Sequence, residues 1–319
     1  MAQSTPRVWL ITGSSSGFGR AMVEQVLLNG EIAVATLRKP SVLDDLAAKY
    51  PRTQLLVLPL DVTNEAQVKS VFTQAKDAFG HVDVVYNNAG QGFYQELEGI
   101  PIDRARALMD VNFWGAVTVS FEAVRFFREV NPKGAGGMLV QVSSSAATKG
   151  SPLIGFYSAT RFVFIGKQVM LLVADCATLT HHRSALDSFT EVLAQEVLPA
   201  WNIRFVNVHP GWTRTPIVSS EMLEPPALYA SEPTAVTTKL RAGFDAFMKS
   251  DALADVESVT KRIWSVTRMD DEDVHKGIQE GIPGLVNMHT GMGSLELVHA
   301  KIGRLQSELM WSTKVHYEH

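Results

Sequence analysis

Thr12-Gly13-Ser14-Ser15-Ser16-Gly17-Phe18-Gly19 follows directly on the apolar run Val8-Trp9-Leu10-Ile11. An uninterrupted apolar run of this length, stopped by glycine, predicts a buried strand, and the pattern of 20–29 predicts a helix. A strand, a glycine-rich turn and a helix N-terminus together form a pyrophosphate site. The glycines let the backbone approach the phosphates, and the free N–H groups and dipole of the helix favour an anion. The spacing is Gly-x3-Gly-x-Gly rather than the common Gly-x-Gly-x-x-Gly, and for this stretch alone an ordinary structural turn stays open as an alternative.

Outward from this turn, short apolar runs alternate with amphipathic patterns. Strands are predicted at 8–12, 32–36, 55–59, 82–86, 138–142 and 203–208, and helices at 20–29, 42–49, 65–79, 104–129 and 185–198. Gly30 is placed to end the first helix, and Lys133-Gly134-Ala135-Gly136-Gly137 forms a turn into the fifth strand. Near-continuous apolar strands alternating with helices predict an α/β fold: a single Rossmann-type doubly wound parallel sheet with helices on both faces. After Val208 the pattern weakens, and Pro210, Pro216, Pro225, Pro226 and Pro233 mark a long irregular segment of the kind used for binding loops. A final helix is predicted at 295–311. The expected organisation is one domain over 1–319, with a core at about 7–216 and a substrate loop and C-terminal extension at about 217–319.

Composition narrows the function. The 319 residues carry 29 Lys+Arg against 33 Asp+Glu, a net charge of −4, which gives no electrostatic footprint for nucleic acid. Apolar residues make up 46%, enough for a full core. A lone cysteine, Cys176, excludes an internal disulfide framework, the nine histidines have no zinc-type spacing, and no metal site is expected. MAQSTPRVWLITG enters a strand too early for a signal peptide, so a cytoplasmic protein is expected. The apolar stretch 162–174 is about 13 residues long, carries Lys167 and Gln168 at its middle, and falls short of the ~20 a membrane span needs.

The end of the second strand bears on the nucleotide. Sites that prefer NAD place an acid there to bond the ribose 2′-hydroxyl. This chain reads Thr36-Leu37-Arg38-Lys39, with no acid before Asp44. A cation at Arg38 can pair with a 2′-phosphate, so NADP(H) is favoured over NAD(H). Two solvated basic residues at a strand end are the alternative.

At this point the sequence resembles the classical short-chain dehydrogenase/reductase family, on ordered motifs over roughly 7–216. They are the TGSSSGFG turn, Asp61-Val62, Asn87-Asn88-Ala89-Gly90, Asn112 in DVNFWG, Ser143-Ser144-Ser145, Tyr157 in YSAT, and Pro210-Gly211-Trp212-Thr213-Arg214-Thr215. The VATLRK stretch looks like the NADP-preferring branch that reduces steroids and carbonyls. The resemblance implies Tyr157 as general acid or base and Ser144, thirteen residues earlier, as hydrogen-bond donor to the substrate oxygen. It implies Asn112 as holder of a relay water. Gly13, Ser15, Ser16, Gly17, Phe18, Gly19, Arg38, Asp61, Val62, Asn88, Ala89, Gly90, Pro210, Gly211, Thr213 and Thr215 would hold the cofactor. Gln91, Phe93, Ala146, Leu153, Trp212 and parts of 217–247 would meet a mostly apolar carbonyl or alcohol substrate. It also implies a homodimer or homotetramer.

Two departures stand out. The family has Lys four residues after the Tyr, and this chain has Arg161, which keeps the positive charge but cannot release a proton. Residues 162–183 also interrupt the family's helix: their removal restores YSATR-SALDSFTEVLAQE. A retained intron and a lineage-specific extension are both open explanations. Three functions follow: an NADP(H)-dependent oxidoreductase with Asn112, Ser144, Tyr157 and Arg161 at its centre, a nucleotide-binding protein with little or no turnover, or a structural or interaction protein that keeps the fold and binds no cofactor.

Overall fold

The computed structural model describes residues 5–161, 185–217, 220–269, 284–291 and 293–318. Seven parallel strands form one sheet: β1 (Val8–Thr12), β2 (Ile32–Leu37), β3 (Leu55–Pro59), β4 (Val84–Asn87), β5 (Gly137–Val142), β6 (Ile203–Pro210) and β7 (Leu285–Thr290). Their spatial order is β3-β2-β1-β4-β5-β6-β7. The order reverses between β1, which pairs β2 on one side, and β4 on its other, with Leu10 opposite both Val34 and Val85. In such sheets the crevice for a ligand opens at the carboxyl ends of the strands flanking that reversal.

The uninterrupted apolar runs follow from burial on both faces. All five residues of β1 are buried, and they alternate between layers as the two-residue period requires. Val8 and Leu10 join Val68, Phe72, Phe126 and Phe205 on one face; Trp9 and Ile11 join Met22, Val26, Tyr86 and Ile263 on the other. Each such side chain contributes roughly 1.5–3 kcal/mol on burial. The first layer is covered by α3 (Glu65–Phe79), α5 (Ala116–Glu129) and α7 (Ala185–Glu196). The second is covered by α1 (Gly17–Leu28) and α10 (Val256–Val266). Between them in sequence lie α2 (Asp44–Ala47), α4 (Ile102–Met109), α6 (Gly155–Arg161), α8 (Ala227–Ala230) and α9 (Val236–Lys249); α11 (Ser294–Glu318) closes the chain. Helix α3 starts where Asn64 Oδ1 accepts from the Gln67 N–H and ends at Gly80 in the left-handed region.

One buried carboxylate ties α10 to the sheet. Glu31 accepts from Arg7, from the indole N–H of Trp9 at 3.0 Å, from that of Trp264 at 2.9 Å and from Arg268 at 2.7 Å.

Three expectations need revision. The sheet has a seventh strand, β7, which pairs β6 at the edge; its Asn287 and His289 break the apolar run, so its sequence does not read as a strand. The single helix expected at 104–129 is two, α4 and α5, joined by a π-helical turn at Asp110–Gly115 that widens the backbone around Asn112. The helix expected at 42–49 is a short 3₁₀ turn, Pro40–Leu43, followed by α2. Among the described residues no helix is long and apolar enough to cross a membrane. The interruption at 162–183, including the 162–174 stretch, lies outside the described residues.

Candidate active site

The turn after β1 brings the helix start against the strand end. Gly13 has φ +68°, and Gly19 packs so closely on the turn that a Cβ there would lie 2.2 Å from the Gly13 carbonyl oxygen. Thr12 organises the far side. Its buried hydroxyl accepts from the Asn88 N–H at 2.9 Å and the Ala89 N–H at 3.0 Å, while Asn88 Nδ2 donates to the Thr12 carbonyl at 3.0 Å. Ser16 stands at the N-cap of α1 with no capping bond from its side chain, and the first turn holds no acid. The helix thus presents N–H groups and its positive dipole end to an anion.

A cleft of about 440 Å³ runs from this turn in both directions. Toward β2 and β3 its wall includes Leu37, Arg38, Leu60, Asp61 and Val62. Asp61 accepts from the Thr63 hydroxyl at 2.7 Å and the Thr63 N–H at 3.0 Å. The Thr63 hydroxyl, then its N–H and the Arg38 charge, hold this carboxyl below the usual range. Arg38 is exposed at the strand end, free to meet a charged group in the cleft. These residues, with the uncapped helix, could hold a dinucleotide.

Toward β5 and β6 the wall includes Ser143, Ser144, Ser145, Ala146, Tyr157, Trp212 and Ile217. Ser144 leaves β5 in an extended conformation and its Oγ accepts from the Ala146 N–H at 3.1 Å. Tyr157 rises from α6, and Gly92 lies beside its ring: a Cβ there would sit 3.6 Å from Tyr157 Cδ2 and 3.4 Å from Ile217 Cγ1. Tyr94 is held strongly toward its protonated form, first by burial and second by Tyr157. The Pro210–Thr215 loop folds back over the start of α1, bringing the Thr215 Cβ to 3.3 Å from where a Gly17 side chain would begin.

Of the residues singled out in the sequence, most share this cleft. The lining includes Gly13, Ser15, Ser16, Gly17, Phe18, Arg38, Asp61, Val62, Asn88, Ala89, Gly90, Gln91, Phe93, Ala146, Ser144, Tyr157, Pro210, Gly211, Trp212, Thr213 and Thr215. Gly19 lies behind the turn as spacing rather than surface. Leu153 corrects an expectation: it is buried with φ +69°, and its neighbour Ile154 occupies the cleft wall instead. Asn112 is also fully buried behind the wall. Its Oδ1 accepts from the Gln91 N–H at 2.9 Å and its Nδ2 donates to the Gln91 carbonyl at 2.9 Å and to Thr160 Oγ1 at 3.3 Å. It therefore links the loop after β4 to the helix of Tyr157, a job that the π-helical turn makes room for. Arg161 ends α6, one helical turn past Tyr157.

Sequence reasoning missed Thr12, Gly92, Tyr94, Lys149, Ile154 and, on the C-terminal helix, Leu297. Thr12 sits inside a motif already quoted, and Gly92 lies between Gln91 and Phe93, both singled out in the sequence. Leu297 lies far along the chain, and nothing local marks it as part of the cleft.

A doubly wound parallel sheet with a glycine turn at its reversal point, Ser144 just past β5 and Tyr157 on α6 beside the same cleft, defines a Rossmann-like α/β protein. Residues 7–170 match the short chain dehydrogenase family, so the match ends inside 162–183. An uncharacterized oxidoreductase of Schizosaccharomyces pombe is 35% identical over 220 residues, 69% of this chain and 65% of that protein, just under two thirds of the relative's length. Oxidoreductase BOA17 of Botryotinia fuckeliana is 32% identical over 231 residues, 72% of this chain and 73% of that protein. The crystal structure of a short-chain dehydrogenase from Streptomyces avermitilis shares the fold at a TM-score of 0.75, with 24% identity over 98% of each chain. The chain belongs to the short-chain dehydrogenase family of oxidoreductases, which use nicotinamide cofactors.

Proposed function

We propose that this protein is an NADP(H)-dependent oxidoreductase that interconverts a carbonyl and an alcohol on a mostly apolar small molecule. The observation that carries the reading is one continuous cleft with Arg38 at one end, the uncapped N-terminus of α1 at its middle, and Ser144 and Tyr157 at the other. Arg38 would pair with the 2′-phosphate, the α1 N–H groups with the pyrophosphate, and Thr213 and Thr215 with the nicotinamide end. When bound, the nicotinamide supplies or accepts the hydride. Tyr157 gives its hydroxyl proton to the carbonyl oxygen during reduction, or takes the alcohol proton in the reverse direction. Ser144 donates a hydrogen bond to the same oxygen as negative charge develops on it. Asn112 holds the Tyr157 helix in register with the loop at Gln91. Arg161 keeps the positive charge of the family's lysine in the helix of Tyr157, but it cannot hand on a proton.

Trp114, Phe121 and Val192 are 58%, 56% and 48% exposed on and around α5 and α7, and they are the face through which two copies would pair.

The test is NADPH consumption with a panel of ketones and aldehydes, alongside NADPH titration of the same preparations. Wild type is expected to turn over. Tyr157→Phe should lose roughly 10²–10⁴-fold in rate while keeping its NADPH affinity. Turnover undiminished in Tyr157→Phe would overturn the mechanism. Tight NADPH binding by wild type with no turnover on any carbonyl would favour the other function, a nucleotide-binding protein in which Arg161 does not replace the missing lysine.

A further inference from the structure

We propose that Arg241, on α9, is a positioning residue for substrate recognition: it latches α9 onto the loop after β4 and so fixes the two aromatic walls of the cleft's substrate half. This rests on the oxidoreductase reading above. Helix α9 presents Arg241, Phe244 and Phe247 at successive three-residue steps, the spacing that keeps side chains on adjoining parts of one helix surface. Each seats on a different part of the site. The Phe244 ring meets Tyr94 at 4.6 Å between centroids, and Phe247 meets Trp212 edge-on at 5.1 Å. Tyr94 and Trp212 both line the cleft.

Arg241 makes the polar contact of the three. Its Nε donates to Glu96 Oε1 at 2.9 Å, one terminal nitrogen to Glu96 Oε2 at 2.5 Å and to Gln95 Oε1 at 2.8 Å, and the other to the Leu223 carbonyl at 2.8 Å. Glu96 is 2% exposed, and Arg241 holds its carboxyl below the usual range. A buried carboxylate met by a planar, two-pronged donor is a geometry lysine cannot reproduce.

The contacts continue from this latch into the site. Gln95 Nε2 donates to the Glu224 carbonyl at 2.9 Å, and the Gln95 N–H to the Leu153 carbonyl at 2.8 Å. Leu153 directly precedes Ile154, whose carbonyl accepts from the Ser158 N–H in the first turn of the Tyr157 helix. The Tyr94 N–H donates to the Glu221 carbonyl at 2.9 Å, and the Leu223 N–H to the Tyr94 carbonyl at 3.0 Å. Four segments are therefore tied together around Arg241, directly or through Gln95: the loop carrying Tyr94, the segment leading into the Tyr157 helix, the stretch 221–224, and α9. None of them belongs to the nucleotide half of the cleft, so the latch separates substrate recognition from cofactor binding.

The experiment compares Arg241→Met, Arg241→Lys and Phe247→Leu with wild type, measuring kcat, KM for a reduced ketone, NADPH Kd and amide hydrogen exchange. Arg241→Met is expected to raise KM about tenfold or more, with a smaller change in kcat and NADPH Kd within about twofold. Arg241→Lys should recover part of the KM loss, and Phe247→Leu should raise KM by less. A residue that merely stabilises the fold would move NADPH Kd together with KM, and that result, or an unchanged KM in Arg241→Met, overturns the proposal. If wild type itself shows no turnover, the oxidoreductase reading fails and the latch is judged by exchange alone. Faster exchange of amides 221–224 and 236–249, with β1 and α1 unchanged, then supports it, and unchanged exchange at those amides refutes it.

Discussion

Replacing Gly19 by alanine sets two effects of opposite sign against each other. Gly19 lies in the first turn of α1 with no positive φ, so alanine should gain about 1 kcal/mol in helix propensity. Against this, the new Cβ would stand 2.2 Å from the Gly13 carbonyl oxygen, 2.7 Å from its carbon and 2.8 Å from Asn88 Nδ2. An unstrained carbon–oxygen contact is about 3.3 Å, so helix and turn must separate by about 1 Å. The turn has little room to yield, because Asn88 Nδ2 grips the Thr12 carbonyl at 3.0 Å. Overpacking of this kind costs about 1–3 kcal/mol, and with a backbone obstacle the upper end applies, leaving a net loss of about 1–2 kcal/mol. A displacement of that size at the phosphate turn should weaken NADPH binding by about 10–100-fold. Denaturant unfolding and NADPH fluorescence titration measure the two quantities. Gly30→Ala is the control: with φ +71° and open space around it, it should cost about 1–2 kcal/mol in backbone strain and leave NADPH affinity alone. A Gly19→Ala protein as stable as wild type with normal NADPH affinity would refute the close-approach argument.

Arg38→Leu should weaken NADPH by about 10–100-fold, the loss of one charge-assisted contact, and change NADH by less than about threefold; equal losses for both nucleotides would remove Arg38 from the 2′-phosphate. Glu31→Gln leaves Arg7 and Arg268 without their carboxylate and should cost about 2–3 kcal/mol in denaturant unfolding, less than a fully enclosed pair because both arginines reach solvent; a loss below about 0.5 kcal/mol would show the cluster to be ornamental. His289, stacked 4.5 Å from His209, is pushed down from 6.5 to about 4, first by burial and second by His209. Between those values the unfolded chain binds more protons than the folded one, so stability should be full above about pH 6.5 and fall as pH drops toward 4. His289→Gln should flatten that limb of a stability-against-pH curve, and an unchanged limb would place the titration elsewhere.

The strands were legible because burial on both faces leaves no polar position to break the pattern: Val8-Trp9-Leu10-Ile11 reads as strand on sight. Helix α3 was legible end to end, since Asn64 and Gly80 punctuate it and Val68, Val71, Phe72 and Ala75 recur on one face. The glycine turn after β1 was legible for a related reason. A tight turn is made by consecutive backbone atoms, so its requirements are written in adjacent residues such as Gly13 to Gly19. Edge strand β7 escaped because a strand with one neighbour tolerates Asn287 and His289. The π-helical turn escaped because one extra residue per turn leaves the apolar pattern of 102–129 almost unchanged.

What the sequence by itself determined is therefore the parallel sheet, the glycine turn at its reversal point, and the order of Asn112, Ser144 and Tyr157 along the chain. Only the tertiary structure decided that Asn112 spends its amide on Gln91 and Thr160, that Ile154 rather than Leu153 faces the cleft, that Arg241 pairs with Glu96, and that Leu297 lines the cleft. The first group depends on local backbone chemistry and on the period of burial, both recorded between neighbouring residues. The second depends on which side chains meet after segments more than a hundred residues apart have packed, as Arg241 does with Glu96, and no spacing along the chain encodes that meeting.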